Sequence, residues 1–159
     1  MRTPARAERP RRLRRAPVLA GGLWWAVCAV GASAPQSPTG GGKTVWDGVF
    51  SAEQASRGEG TYREWCASCH GASLEGADMS PPLTGGAFTS NWNQLTVGDL
   101  FERIRTTMPL DRPGAVRGQQ NADLIAFILK SNGWPAGAAE LPRELTPLKQ
   151  IAIDTTAPK

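Results

Sequence analysis

Histidine is almost absent from this 159-residue chain, with His70 the single example. Cysteine is scarce too: Cys28, Cys66 and Cys69 are all there is, which excludes a small disulfide-stapled scaffold. A structural zinc site needs four ligands, and one His beside two neighbouring Cys leaves the fourth position unfilled. Basic charge is lacking where it would matter. The formal net charge is +4, but seven of the arginines fall within the first 15 residues. Residues 33–159 carry 11 Lys and Arg against 13 Asp and Glu, a net of −2. No positive excess remains there to neutralise phosphates, so a nucleic-acid partner is excluded.

What is present begins with an Arg-rich N-terminus followed by 19 uncharged residues, Ala16 to Ala34, centred on Leu23-Trp24-Trp25-Ala26-Val27. These flanks and this length describe an export signal over residues 1–34. Cleavage after Ala32 or Ala34 gives a periplasmic protein; left uncleaved, the segment approaches the ~20 residues needed to span a bilayer and would anchor the chain. Cys28 is a poor lipidation site because Val27 precedes it where a small residue is expected. Residues 35–44, rich in Pro, Gly and Ser, are a flexible linker.

The folded part is expected over 45–138, with 139–159 as a C-terminal extension. Ser51 and Gln54 have the spacing of a capping box and open a helix from Ala52 to about Cys66. Gly71 to Trp92, broken by Pro81-Pro82 and several glycines, is expected to be long loop. Thr96 with Asp99 starts a second helix that Pro109 stops soon after Thr107. A third runs from about Gln119 to Ser131 and ends at Asn132-Gly133. Three helices of this size bury too little apolar surface for an independent domain, so something else must fill the centre.

Cys66-Ala67-Ser68-Cys69-His70 has the CxxCH spacing of covalent haem attachment. Two thiols about one helical turn apart reach the two vinyl groups on one edge of a porphyrin, and the next residue brings its imidazole to the iron. A redox dithiol of the thioredoxin kind would want a βαβ context, whereas this motif ends a helix. A disulfide is the remaining alternative in an oxidising compartment. For the sixth ligand no other His exists, and the chain after the leader holds only Met79 and Met108. Met79 is nine residues from His70, too few to lead the backbone around the haem edge. Met108 lies 38 residues on, where Pro109 ends a helix, and is the expected metal ligand with His70.

The series Gly58, Tyr62, Cys66-x-x-Cys69-His70-Gly71, Pro81-Pro82-Leu83-Thr84-Gly85, Trp92, Met108-Pro109 and Asp123 to Leu129 resembles class I cytochrome c over residues 51 to 134. The resemblance implies an all-α fold in which the first and last helices cross around one covalent haem c, with long Gly/Pro loops. It implies that the crossing uses Gly58 and Phe127, with an aromatic ring lying where Gly58 has no side chain. It also implies that the Pro81 carbonyl receives the Nδ1 hydrogen of His70, that Leu83 packs on the haem and that Trp92 donates to a propionate. The doubled proline leaves Pro82 open in place of Pro81. Asn121 departs from the pattern, which has an aromatic there, and puts one surface contact in doubt.

Val45 to Phe50, Thr106 to Gly114 and Ser131 to Gly137 resemble more narrowly the cytochromes associated with quinoprotein (PQQ-dependent) alcohol dehydrogenases. The function implied is electron transfer without catalysis: electrons come from a periplasmic quinoprotein dehydrogenase and go to an oxidase or another cytochrome of the respiratory chain. His and Met together fill both axial positions and raise the reduction potential into a range suited to that task. The alternative is a haem enzyme or a gas- or peroxide-binding protein in which Met108 is displaced.

Overall fold

Helix starts follow the capping chemistry. In the computed structural model, which describes residues 42–159, Ser51 Oγ accepts from the Gln54 backbone N–H at 3.0 Å and opens α1 (Ala52–Trp65). Thr96 and Asp99 form a complete reciprocal box at the start of α4 (Val97–Thr107). Ahead of α1 lies β1 (Lys43–Thr44), and between α1 and α4 lie α2 (Ala67–His70) and α3 (Gly85–Trp92). After α4 come α5 (Gly118–Ser131), α6 (Leu145–Leu148) and β2 (Ile151–Ala152). The architecture is all-α, with one two-stranded parallel ladder pairing Lys43 with Ile151 and Thr44 with Ala152. The leader over 1–34, with Cys28, and most of the linker lie outside the described residues. The linker's last two residues form β1. No helix among the described residues is long and apolar enough to cross a membrane.

The centre of the fold is the crossing of α1 over α5. A Cβ at Gly58 would sit 1.8 Å from the Asp123 carbonyl oxygen, so the helices approach until backbone meets backbone and only glycine fits. On the same two helices the Phe127 ring lies against Tyr62, ring centroids 5.4 Å apart, one helical turn beyond Gly58 on α1. Beside the crossing, Arg57 clasps the Asp123 carboxylate with bonds of 2.9 and 3.1 Å. Burial alone would push that carboxyl up; the Arg57, Gln119 and Gln54 donors outweigh it and hold it below the ordinary carboxylate range.

Three expectations change. The stretch 71–92 is not all loop, because its last residues form α3, which buries Phe88 and sets its ring 6.1 Å from that of Trp92. Asn121 is no surface residue: it is fully buried, and its Nδ2 donates to the Phe101 carbonyl at 2.9 Å, tying α5 to α4. The Ser51 box is only half made. Gln54 turns away from the cap and exchanges two bonds with the Leu141 backbone, at 3.1 and 2.7 Å.

That exchange reveals the role of residues 139–159, a strap around the helices. Leu141, Leu148, Ile151 and Ile153 are all buried. Lys149 Nζ bonds Asp99 at 2.6 Å and Glu102 at 3.0 Å, and Gly98 leaves the space that Lys149 fills. The indole N–H groups of Trp46 and Trp134 both donate to the Asp154 carbonyl, at 2.8 and 3.1 Å. The apolar core is therefore larger than three helices can make, because the strap brings its own aliphatic side chains.

Candidate functional site

The last turn of α1 leads straight into the site. Cys66 caps the helix, its N–H donating to Tyr62 at 2.9 Å, and the chain re-enters a single turn in which the Cys69 and His70 N–H groups return to the Cys66 carbonyl at 3.1 and 2.9 Å. Both thiols are free, with Cys66 partly buried and Cys69 exposed. Burial, and secondarily the neighbouring Cys69, push the Cys66 thiol up to about 11. A thioredoxin-like nucleophile needs the opposite shift. Among the described residues no group of three or more His, Cys, Asp or Glu could cage a metal ion.

His70 is buried, and its Nδ1 lies 2.8 Å from the Pro81 carbonyl oxygen. A carbonyl only accepts, so Nδ1 carries the proton and Nε2 keeps its lone pair for a metal. It is Pro81, not Pro82, that stands in this position. The loop making the contact is tightly held: Gly76 N–H donates to His70 O at 2.8 Å, Leu83 N–H to Leu74 O at 2.8 Å, and Tyr62 OH to Gly71 O at 2.5 Å. At Gly76, with φ +79°, a Cβ would stand 2.7 Å from Pro82 N, so glycine is required for the loop to fold back on itself. From the other side, Asn132 at the end of α5 donates to Leu83 O and accepts from Gly85 N–H, at 2.9 and 3.1 Å.

These segments enclose a cavity of about 740 Å³ lined mostly by apolar side chains, within the ~300–1,000 Å³ common for cofactor sites. Cys66, Cys69, His70, Pro81, Leu83, Trp92 and Met108 all line it. Met108 follows the last residue of α4, its N–H bonded to Ile104 O at 3.0 Å, and is half-buried. Met79 reaches the same cavity from the rim, where it is 96% exposed. Sequence reasoning missed Phe88, Leu100, Ile104, Leu124 and Ile128, which form the apolar wall. It also missed Trp65, a cavity-lining residue whose Nε1 is buried with no hydrogen-bond partner. The signal for Trp65 was its place, the final helical residue directly before Cys66.

With this geometry in view, the family comparison is informative. Residues 53–128 match the family model described as cytochrome C oxidase, cbb3-type, subunit III. The matched stretch runs from the first turn of α1 into α5 and contains the Cys66–His70 turn, Pro81 and Met108, but not the strap. It gives the chain a weak family-level association with the haem redox proteins of cytochrome-oxidase systems. No curated protein matches the chain. Among solved structures, the sulfane dehydrogenase SoxCD from Paracoccus pantotrophus is similar at 23% identity, with a TM-score of 0.48 over 68% of this chain. The similarity spans 61% of that chain's length.

Proposed function

We propose that this chain is a single-haem c-type cytochrome of the class I kind, an electron carrier and not an enzyme, exported to the periplasm. The observation that carries the reading is the convergence of Cys66, Cys69, His70 and Met108 on one largely apolar cavity. The residues present fit haem c. Two thiols stand one turn apart and would form the thioether bonds, the His70 Nε2 lone pair and the Met108 thioether would hold the iron, and the apolar wall suits a macrocycle. Trp65, Trp92, Asn91 and Arg103 bring hydrogen-bond donors to the same cavity, which suits the two propionates. Haem c held there supplies an iron that gains and loses one electron.

The chain's own residues do the rest. The Pro81 carbonyl fixes the His70 tautomer and ring orientation. Phe88, Leu100, Ile104, Leu124 and Ile128 keep water away, which limits the reorganisation that accompanies a change of charge. A second reading, with Met108 displaced and a small molecule bound, would need a nearby donor to stabilise that molecule. Of the two arginines nearest Met108 in sequence, Arg112 is engaged on the Trp65 ring, 5.0 Å from its centroid, Arg105 faces Glu102 at 4.0 Å, and neither lines the cavity.

The donor we propose is a periplasmic quinoprotein dehydrogenase, and the acceptor an oxidase or another cytochrome. Support comes from the cytochrome-oxidase family match and from the resemblance of 45–50, 106–114 and 131–137 to cytochromes of quinoprotein dehydrogenases. The cavity rim exposes two large apolar side chains, Met79 and Leu110, the latter 79% exposed. With a net of only −2 over residues 33–159, long-range steering is weak, and the partner is recognised by shape and apolar contact. Leu110→Glu should therefore leave the visible spectrum unchanged and slow reduction by the dehydrogenase about tenfold, the size of a lost apolar anchor. Stopped-flow reduction at two salt concentrations checks this. The parent rate should change only mildly with salt, and a steep fall would show that charge governs the encounter.

A further inference from the structure

Met108 begins a surface loop with few anchors of its own. Leu110 is 79% exposed, and the side chains of Asp111 and Arg112 are 75% and 68% exposed. The backbone nevertheless closes on itself. Arg112 N–H donates to Pro109 O at 3.0 Å, Gly114 N–H to Met108 O at 3.2 Å, and Ala115 N–H to Arg112 O at 3.1 Å. A displacement of Arg112 therefore carries Met108 with it. Arg112 has one contact outside its loop that bears on this: its guanidinium lies over the Trp65 ring, 5.0 Å from the centroid. Its Nε is 3.8 Å from Asp111, a long pair within the same exposed loop that ties the loop to nothing else. Trp65 is fixed on both sides, as the final residue of α1 and the neighbour of Cys66, and its Nε1 edge is buried.

We propose that the Trp65–Arg112 stack is a latch between the cysteine turn and the Met108 loop, and that it positions Met108 by holding the loop closed over the cavity. The inference rests on the reading of Met108 as an axial ligand and deepens it: Trp65 and Arg112 are positioning residues that touch no iron. A partly exposed cation–π pair is worth ~0.5–1 kcal/mol. Losing it should raise the population with Met108 detached roughly two- to fivefold at ~1.4 kcal/mol per factor of ten.

Imidazole titrated into the ferric holoprotein reads this directly, because it binds only when Met108 has left. Arg112→Ala and Arg112→Gln should each raise the apparent imidazole affinity roughly two- to fivefold. Arg112→Lys, which keeps a cation over the ring, should restore the parent value. Trp65→Leu combined with Arg112→Ala should add little to either change alone. Since Arg112 is exposed, its variants remain folded even where a Trp65 variant does not. Parent-like imidazole affinity in Arg112→Ala and Arg112→Gln, with Met108→Ala showing a large increase, overturns the latch while leaving the ligand reading intact. If Met108→Ala itself leaves imidazole affinity unchanged, the ligand reading falls and the latch falls with it.

Discussion

Removing residues 139–159 should leave a polypeptide that no longer unfolds in a cooperative transition. Leu141, Leu148, Ile151 and Ile153 are each at most 5% exposed. Burial of one such side chain is worth ~1.5–3 kcal/mol, so four of them contribute roughly 6–12 kcal/mol as an upper estimate. A domain's whole margin is only ~5–15 kcal/mol. Truncation also strips the fully buried Gln54 amide of its two bonds to Leu141 and leaves the Trp46 and Trp134 N–H groups without Asp154. Each orphaned group costs a further ~1–3 kcal/mol. Thermal unfolding followed by circular dichroism checks this, and a truncated holoprotein melting within a few degrees of the parent would contradict it.

The strap also has a pH signature. The Lys149 hydrogen bond first, and the Thr96 bonds after it, hold the Asp99 carboxyl at about 2. A carboxyl depressed in the folded state stabilises above its unfolded value, ~3.9, and that contribution is lost as pH falls towards the folded value. Stability should therefore decline between about pH 4 and pH 2, and Asp99→Asn should flatten the decline.

Met108→Ala should abolish the far-red sulfur-to-iron band of the ferric protein, lower the reduction potential and open the iron to carbon monoxide. Met79→Ala should do none of these. Their surroundings explain the contrast. Ala77 and Ser80 bond to each other in both directions, at 3.1 and 2.7 Å. Asp78 and Met79 thus form the tip of a tight turn, and the Met79 side chain stands in solvent. Met108 instead follows an anchored helix whose Leu100 and Ile104 form part of the cavity wall. A thioether ligand is what raises a His-ligated haem's potential. Carbon monoxide affinity should rise by roughly two orders of magnitude or more in Met108→Ala, since small ligands then no longer compete with an intramolecular donor of high effective concentration. A larger effect of Met79→Ala would reverse the ligand assignment.

Local signals decided which parts of this fold were legible from residues alone. Ser51, Thr96 and Asn132-Gly133 carry helix-boundary chemistry in their own side chains and backbone, and α1, α4 and α5 begin and end beside them. Helix α3 was hidden because Gly85-Gly86 reads as a breaker. What makes it a helix is tertiary, the burial of Phe88 under the cavity wall. The strap was hidden for the same reason: Leu141, Leu148, Ile151 and Ile153 have no common period and are separated by Pro142 and Pro147, so only their distant partners define them. Gln54 illustrates the limit within one residue, as its spacing from Ser51 promised a local bond while its amide serves Leu141, 87 positions away.

At the site, the gathering of Cys66, Cys69 and His70 on one turn was legible because they are near neighbours in the sequence. The choice of Pro81 over Pro82 was not, since it depends on how the loop closes at Gly76. Nor was the closeness of the approach at Gly58, where the Asp123 carbonyl stands in the space a Cβ would take. Trp65 and Arg112 are 47 positions apart, and no pattern in the sequence connects them.

Mass spectrometry of the exported protein after denaturation tests the central claim most directly. The account predicts a polypeptide heavier by one haem, with Cys66 and Cys69 both blocked to alkylation and the colour retained by the chain in acidic organic solvent. A bare polypeptide whose two thiols both react, recovered from cells that mature other c-type haem proteins, would contradict it.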